Sequence, residues 1–264
     1  LAPGRRLDPA ALGLAAGVGA ATLRVRHRPR VALFSTGDEL VMPGQPLKPG
    51  AIYNSNRFTL RGLLQAGGCD VVDLGIVPDQ LEATRAALRE AALGSDLIVT
   101  SGGVSMGEED HLRPALQAEG RLALWQVAIK PGKPLAFGAV RRPPGGAAGD
   151  EALYIGLPGN PVSSFVTFLL AVAPVLRALQ GMPAVGPAPR PARADFDWPS
   201  PDRRREFLRV RFNSEGGLDL FPNQSSGVLT SAAWADGLVD NPPGRAIARG
   251  ETVAWLSLAG LIGA

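Results

Sequence analysis

The sequence predicts an α/β fold: a three-layer domain whose mostly parallel sheet carries helices on both faces, followed by a small all-β barrel domain. Two observations predict it. Between residues 30 and 179, compact apolar runs alternate with helical patterns of ten or more residues, which is how a parallel sheet with helical crossovers reads. At Gly181 the composition changes. Pro183, Pro187, Pro189 and Pro191 punctuate a stiff linker, and the segments beyond it are short, strand-like and bounded by turn residues. The expected division is a remnant of a preceding domain over 1–27, the α/β domain over 28–181 and the β domain over 182–264.

Taken in order, residues 9–16 carry a short helical pattern and 22–25 a strand. Residues 30–35 (RVALFS) form a compact apolar run and hence a buried strand. Phe58, Leu60, Leu63 and Leu64 give 54–66 a helical apolar pattern that Gly67-Gly68 ends. Strands follow at 69–77, 96–100, 122–129, 134–139 and 153–156, with helices at 80–93, 110–118 and, long and apolar, 161–179. The stretch 141–150 (RRPPGGAAGD) reads as an exposed, mobile connector. In the second domain, strands are expected at 192–196, 206–212, 218–221 and 251–256, with a short helix or irregular crossing at 226–236.

Composition excludes several functions. A net charge of +3 is too small to argue for nucleic acid, and from 181 to 264 nine arginines face nine acids. Only Lys48, Lys130 and Lys133 are lysines, which makes the close pair conspicuous. Cys69 is the sole cysteine, so no internal disulfide forms; this is compatible with a cytoplasmic protein, and the residue reads as a small core side chain. With His27 and His111 it supplies too few ligands for zinc. Any metal should be a hard ion held by oxygens. Neither a signal peptide nor an apolar stretch of membrane-spanning length stands out, so no membrane partner is expected. The chain opens on Leu1 rather than methionine, as a piece of a longer protein would.

In parallel sheets ligands bind beyond the carboxyl ends of the strands, which directs attention to four loops. TSGGVSMGEED at 100–110 sets two adjacent glycines and three hydroxyls before three acids. One turn thus offers amides for an anion beside carboxylates for a cation. STGDEL at 35–40 and Asp79 after Pro78 add acid at two more strand ends. Taken singly, Asp38, Asp79 and Asp110 are ordinary turn or helix caps. It is their expected convergence on one sheet edge that suits shared metal binding or acid/base work. Lys130-Pro131-Gly132-Lys133-Pro134 puts two cations on one tight turn; alone it is a solvated hairpin, and beside an anion-binding edge it is a candidate oxyanion holder. In GLPGNP at 156–161, Asn160 fits an N-cap and Pro161 the first helical position, at a helix end that attracts anions. Neither glycine loop matches a Walker A or Rossmann fingerprint.

STGDEL at 35–40, TSGGVSMGEEDHL at 100–112, AIKPGKPLAFG at 128–138 and GLPGNPVSSF at 156–165 together resemble the molybdopterin molybdenumtransferases, the MoeA family related to the gephyrin E domain. The resemblance implies a molybdopterin-binding α/β domain, a following β-barrel domain and an elongated homodimer. The implied reaction inserts molybdate into adenylylated molybdopterin and releases AMP, with a divalent cation such as Mg²⁺ assisting. On the family pattern Glu39, Asp79 and Asp110 match functional acids and metal ligands, Lys130 a functional lysine with Lys133 beside it, and Ser226 a functional serine. Thr100, Ser101, Gly102, Gly103, Val104 and Ser105, with Pro158, Gly159 and Asn160, would hold the pterin phosphate end. The adenylyltransferase of the same pathway is the expected further partner. One departure stands out: Gln126 follows Trp125 where family members often carry a cation. The competing readings are a molybdopterin adenylyltransferase, which shares the α/β domain, and a non-catalytic scaffold module of the same fold.

Overall fold

A computed structural model describes residues 1–104, 111–142, 149–183 and 188–263. Its first part contains α1 (Pro9–Gly17), β1 (Arg30–Thr36), β2 (Leu40–Val41), β3 (Ile52–Tyr53), α2 (Ser55–Ala66), β4 (Asp70–Val77), α3 (Leu81–Gly94), β5 (Leu97–Ser101) and α4 (Leu112–Glu119). Then come β6 (Gly120–Gln126), β7 (Ile129–Lys130), β8 (Pro134–Arg141), β9 (Glu151–Leu157), α5 (Pro161–Thr167) and α6 (Ala173–Leu179). The second part contains β10 (Arg190–Arg193), β11 (Arg205–Phe212), β12 (Leu218–Leu220), α7 (Thr230–Trp234), β13 (Gly237–Asn241), β14 (Thr252–Ser257) and α8 (Leu258–Gly263).

The main sheet runs β4-β1-β5-β9-β8-β6. Its first four strands are parallel, and β8 and β6 are antiparallel additions at one edge. Strand alternation builds the three layers. Val31, Leu33, Leu97 and Val99 pack on one face against α2, α5 and α6. Ala32, Phe34 and Ile98 pack on the other against α3 and α4. In α3 the buried residues Thr84, Ala87, Leu88, Ala91 and Ala92 form the single stripe that one-sided docking requires.

The second sheet is ordered β10-β14-β13-β11-β12. A parallel bridge between Ala194 and Leu218 returns the chain from the end of β10 to β12 and closes the barrel. Leu208, Val210, Leu218, Val239 and Val253 fill its interior. The other side of this sheet contributes Phe207, Leu238 and Leu256, and α8 contributes Leu258 and Leu261, to the cluster that also contains Leu63, Phe165 and Leu176. The two sheets therefore share one apolar seam.

Several sequence expectations are corrected. Residues 22–25 form no strand; they lie exposed without a ladder partner. The single strand expected over 122–129 is two strands in two sheets: β6 ends its ladder at Gln126↔Pro134, and β7 pairs in parallel with β11. The helical run 161–179 contains a π turn over Phe168–Val172. Pro174, which cannot donate to the carbonyl four residues back, supplies a reason for the irregularity. By length and composition this run is apolar enough to cross a membrane, contrary to expectation, but Phe165, Phe168, Leu169, Val172 and Leu176 are buried in the seam. Strand β13 (GLVDN) escapes sequence reading because Asp240 and Asn241 are buried within it, Asp240 paired with Arg205 and Asn241 Nδ2 donating to the Arg245 carbonyl. Of the connector at 141–150, residues 143–148 lie outside the described residues.

The shared seam makes the two sheets one cooperative unit. Leu238→Ala, at a fully buried seam position, is expected to cost about 2–5 kcal/mol. Urea unfolding followed by far-UV circular dichroism and by tryptophan fluorescence should give coincident midpoints before and after the substitution; two separated transitions would contradict the shared seam.

Candidate active site

A cleft of about 550 Å³ opens at the carboxyl ends of the parallel strands. Four loops build it. After β1 the chain turns through Gly37 at φ +142°, where a Cβ would stand 2.6 Å from Glu39 Oε2. Only glycine lets the Glu39 carboxylate lie back against this turn. After β4 comes Asp79, whose backbone N–H donates to Asp38 Oδ1 at 3.2 Å. Two acidic strand ends are thereby tied together, and Glu39 and Asp79 both line the cleft.

After β5 the chain passes through Gly102 (φ +91°) and Gly103 (φ +63°). A Cβ at Gly102 would lie 2.4 Å from the Thr36 carbonyl oxygen, and one at Gly103 2.7 Å from Thr36 Oγ1. The glycine pair is thus required by the neighbouring strand end as well as by its own dihedrals. Gly102 N–H donates to the Leu157 carbonyl at 3.1 Å, joining this loop to the one after β9. That fourth loop brings Pro158, Gly159 and Asn160 to the cleft and leads into α5. Asn160 occupies the N-cap position of α5 but makes no side-chain cap hydrogen bond. Val162 N–H donates instead to the carbonyl of Ser226, 2.9 Å away in the second domain.

Asn56 is the functional candidate that sequence reading missed. It is buried in the first turn of α2 and lines the cleft. Its Nδ2 donates to Ser101 Oγ at 2.8 Å and to the Gly159 carbonyl at 2.7 Å, so one amide joins the two glycine loops. The available signal was a second asparagine at the helix start. Asn54 does the capping, accepting from Arg57 N–H at 3.1 Å, and leaves Asn56 for the loops.

The expected site residues thus divide. Glu39, Asp79, Ser101, Gly102, Gly103, Val104, Pro158, Gly159 and Asn160 meet in the cleft. Thr100 stands behind it, fully buried, with Oγ1 2.7 Å from the Tyr154 hydroxyl. Ser105 and Asp110, with Glu108 and Glu109, lie outside the described residues. Among the described residues no three His, Cys, Asp or Glu side chains form a metal cluster. Among the described residues that line the cleft, the carboxylates are Glu39 and Asp79, oxygen ligands of the kind a hard divalent ion takes.

The lysines sit toward the second domain. Lys130 Nζ lies 3.3 Å from Glu206 Oε1 and 3.4 Å from Asp202 Oδ2. Glu206 is 1 % exposed and also accepts from Trp198 Nε1 at 2.8 Å. The Arg204 guanidinium beside Asp202 holds that carboxyl well below the usual carboxylate range. In the Arg203-Arg204-Arg205 stretch, Arg204 pairs with Asp202 and Arg205 with Asp240. Lys133 lines a separate hollow of about 670 Å³ with Gln126, Asp202, Arg203 and Arg204.

Comparison with known proteins agrees with this architecture. A family described as "Probable molybdopterin binding domain" matches residues 32–178, and the "MoeA C-terminal region (domain IV)" matches 191–258. A molybdopterin molybdenumtransferase of Haemophilus influenzae is 44% identical over 181 residues, covering 69% of this chain and 43% of the relative. One from Nostoc sp. is 34% identical over 261 residues, covering 96% and 58% respectively. The crystal structure of a molybdopterin biosynthesis MoeA protein from Pyrococcus horikosii superposes with a TM-score of 0.80 at 30% identity, covering 97% of this chain and 61% of that one. The chain spans about half the length of the relatives it matches.

Two outcomes follow from the geometry. Gly103→Ala forces a left-handed backbone and a contact with Thr36, and should cost about 1–3 kcal/mol of stability in chemical denaturation; an unchanged midpoint would contradict the packing. Lys130→Ala removes the cation beside buried Glu206 and should cost about 1–3 kcal/mol. Glu206→Gln in the same chain should recover most of that loss, which a purely catalytic lysine would not require.

Proposed function

The chain belongs to the molybdopterin molybdenumtransferase (MoeA) family, and on that premise we propose that it inserts molybdate into adenylylated molybdopterin and releases AMP. The observation that carries this reading is the cleft itself. Glu39 and Asp79 stand beside two glycine loops that Asn56 holds together. Such a site suits a diphosphate: amides and small side chains approach the phosphate oxygens, and carboxylates face the accompanying cation. We assign Ser101 to Val104 and Pro158 to Asn160 to the phosphate end of the pterin. Thr100 supports them through Tyr154, and Ser105, outside the described residues, is assigned with them. A divalent cation, Mg²⁺ in the simplest case, would neutralise charge on the phosphoanhydride as it breaks.

Glu39 and Asp79, with Asp110, are the acids of this reading; they orient the phosphoanhydride and accept protons near it. Lys130 and Ser226 are assigned to molybdate, a tetrahedral dianion, and Lys133 to cofactor binding. An ammonium has three N–H donors, so pairing with Glu206 and Asp202 leaves Lys130 capacity for an oxyanion. The α/β domain (28–181) would bind the pterin nucleotide, and the β domain (182–264) would bring Ser226 to it. We take the full-length protein to be a cytoplasmic homodimer that receives its substrate from the adenylyltransferase of the pathway. The second, β-rich part is an argument for the transferase over the adenylyltransferase itself.

The test is molybdate-dependent AMP release by the full-length protein. Asp79→Asn should lower kcat by about 100-fold or more while leaving the circular dichroism spectrum unchanged. A variant that kept the parent rate would overturn the acid assignment, and AMP release independent of molybdate would overturn the reaction.

A further inference from the structure

Strand β11 is tied at one point to Lys130 and at another to the loop that carries Ser226, through Gln224. Lys130 registers with Glu206 in the β7–β11 ladder, and Arg205 N–H donates to the Ala128 carbonyl at 3.1 Å. Three residues further on, the side-chain amide of Gln224 docks on the backbone of Arg209. Gln224 Oε1 accepts from Arg209 N–H at 2.9 Å, and Nε2 donates to the Arg209 carbonyl at 3.0 Å and to the Phe221 carbonyl at 2.9 Å. The amide thus takes the place of a further strand residue on β11. At the ordinary strand rise the two attachment points are about 10 Å apart.

The loop that begins at Gln224 is held by the same residue at its far end. Arg209 Nε donates to Ser231 Oγ at 3.2 Å, and Ser231 Oγ donates to the Val228 carbonyl at 2.7 Å. Arg209 is 1 % exposed, and its Nη2 has no hydrogen-bond partner. Burial pushes its guanidinium down to about 10. A buried cation without a carboxylate is costly, and here it fastens the end of a loop. Between these anchors, the Ser226 carbonyl receives Val162 N–H at the start of α5, on the rim of the cleft.

We propose that Gln224 is a positioning residue that sets the distance between Ser226 and Lys130, with β11 as the ruler. This rests on the reading that Ser226 and Lys130 hold molybdate. Gln224 itself contacts neither substrate; its amide is committed to Arg209 and Phe221. Its loss should loosen the oxyanion side of the site and leave the pterin-phosphate cleft intact, because Asn56 and the glycine loops make no contact with it.

The experiment compares Gln224→Met and Gln224→Ala with Ser226→Ala in the full-length protein. Gln224→Met keeps the length of the side chain and removes its hydrogen bonds, which guards against a misfolded alanine variant. The molybdate KM should rise about tenfold, the equivalent of one well-formed hydrogen bond. At saturating molybdate kcat should stay close to the parent value, as should the Kd for adenylylated molybdopterin. Hydrogen exchange should show faster opening at Val162. An unmoved molybdate KM in both Gln224 variants, alongside a raised one in Ser226→Ala, overturns the positioning role alone. A parallel loss of kcat and pterin affinity also overturns it, since that would mark general destabilisation. If Ser226→Ala leaves the molybdate KM unmoved, the assignment of Ser226 to molybdate fails and the proposal fails with it.

Discussion

The meeting of Lys130 with Glu206 is the contact on which the arrangement of the molecule turns. Glu206 is buried in the β domain, where an isolated carboxylate would be untenable. Its cation comes from the other domain, on a two-residue strand that joins the second sheet in parallel. Lys130 stays partly exposed, so the pair adds little net stability, but removing the lysine leaves the buried Glu206 charge uncompensated. It therefore acts chiefly on geometry: wherever β11 goes, the KPGKP turn goes with it. Trp198 Nε1 holds the second carboxylate oxygen, so the acceptor itself is oriented.

Around that contact the apolar seam and the loop contacts agree on one docking pose. Phe207 and Leu238 pack in the same cluster as Phe165 and Leu176. Val162 N–H, one of the donors every helix start leaves unpaired, finds its acceptor in the second domain. The cleft inherits its shape from this pose. Its glycine loops depend on one another through Gly102 and the Leu157 carbonyl, and through Asn56. Thr36 closes the space that any side chain at Gly102 or Gly103 would need.

Much of the fold was legible because the deciding forces are local or periodic. RVALFS reads as a buried strand since four successive apolar residues fill both faces, and the stripe along α3 announces its docking side. What was not legible depends on partners distant in sequence. GLVDN looks too polar for a core strand until Arg205 is seen to pair with Asp240. Residues 122–129 read as one strand because periodicity cannot show that two sheets divide them. In the cleft, glycines and acids were visible as loop chemistry after strands. Asn56 was not, because an asparagine at a helix start has a sufficient local explanation. The burial of Glu206 was also hidden: beside three arginines it reads as part of a charged turn, and only the fold removes it from water.

The same separation of local from distant effects bears on Gln126. In sequence it subtracts a cation next to the KPGKP turn, which taken alone weakens any hold on a dianion. In three dimensions Gln126 shares a hollow with Lys133, Arg203 and Arg204. Three cations face one carboxylate there, Asp202, and that carboxylate is already engaged by Arg204. The charge absent at position 126 is thus available from across the domain boundary. Those two arginines lie immediately before β11, the strand that also registers Lys130. On the proposed reading, oxyanion affinity would depend on how the β domain docks, more than on the residues flanking the lysine turn. On that reading a neutral residue at 126 would be compatible with the site as long as that docking is intact.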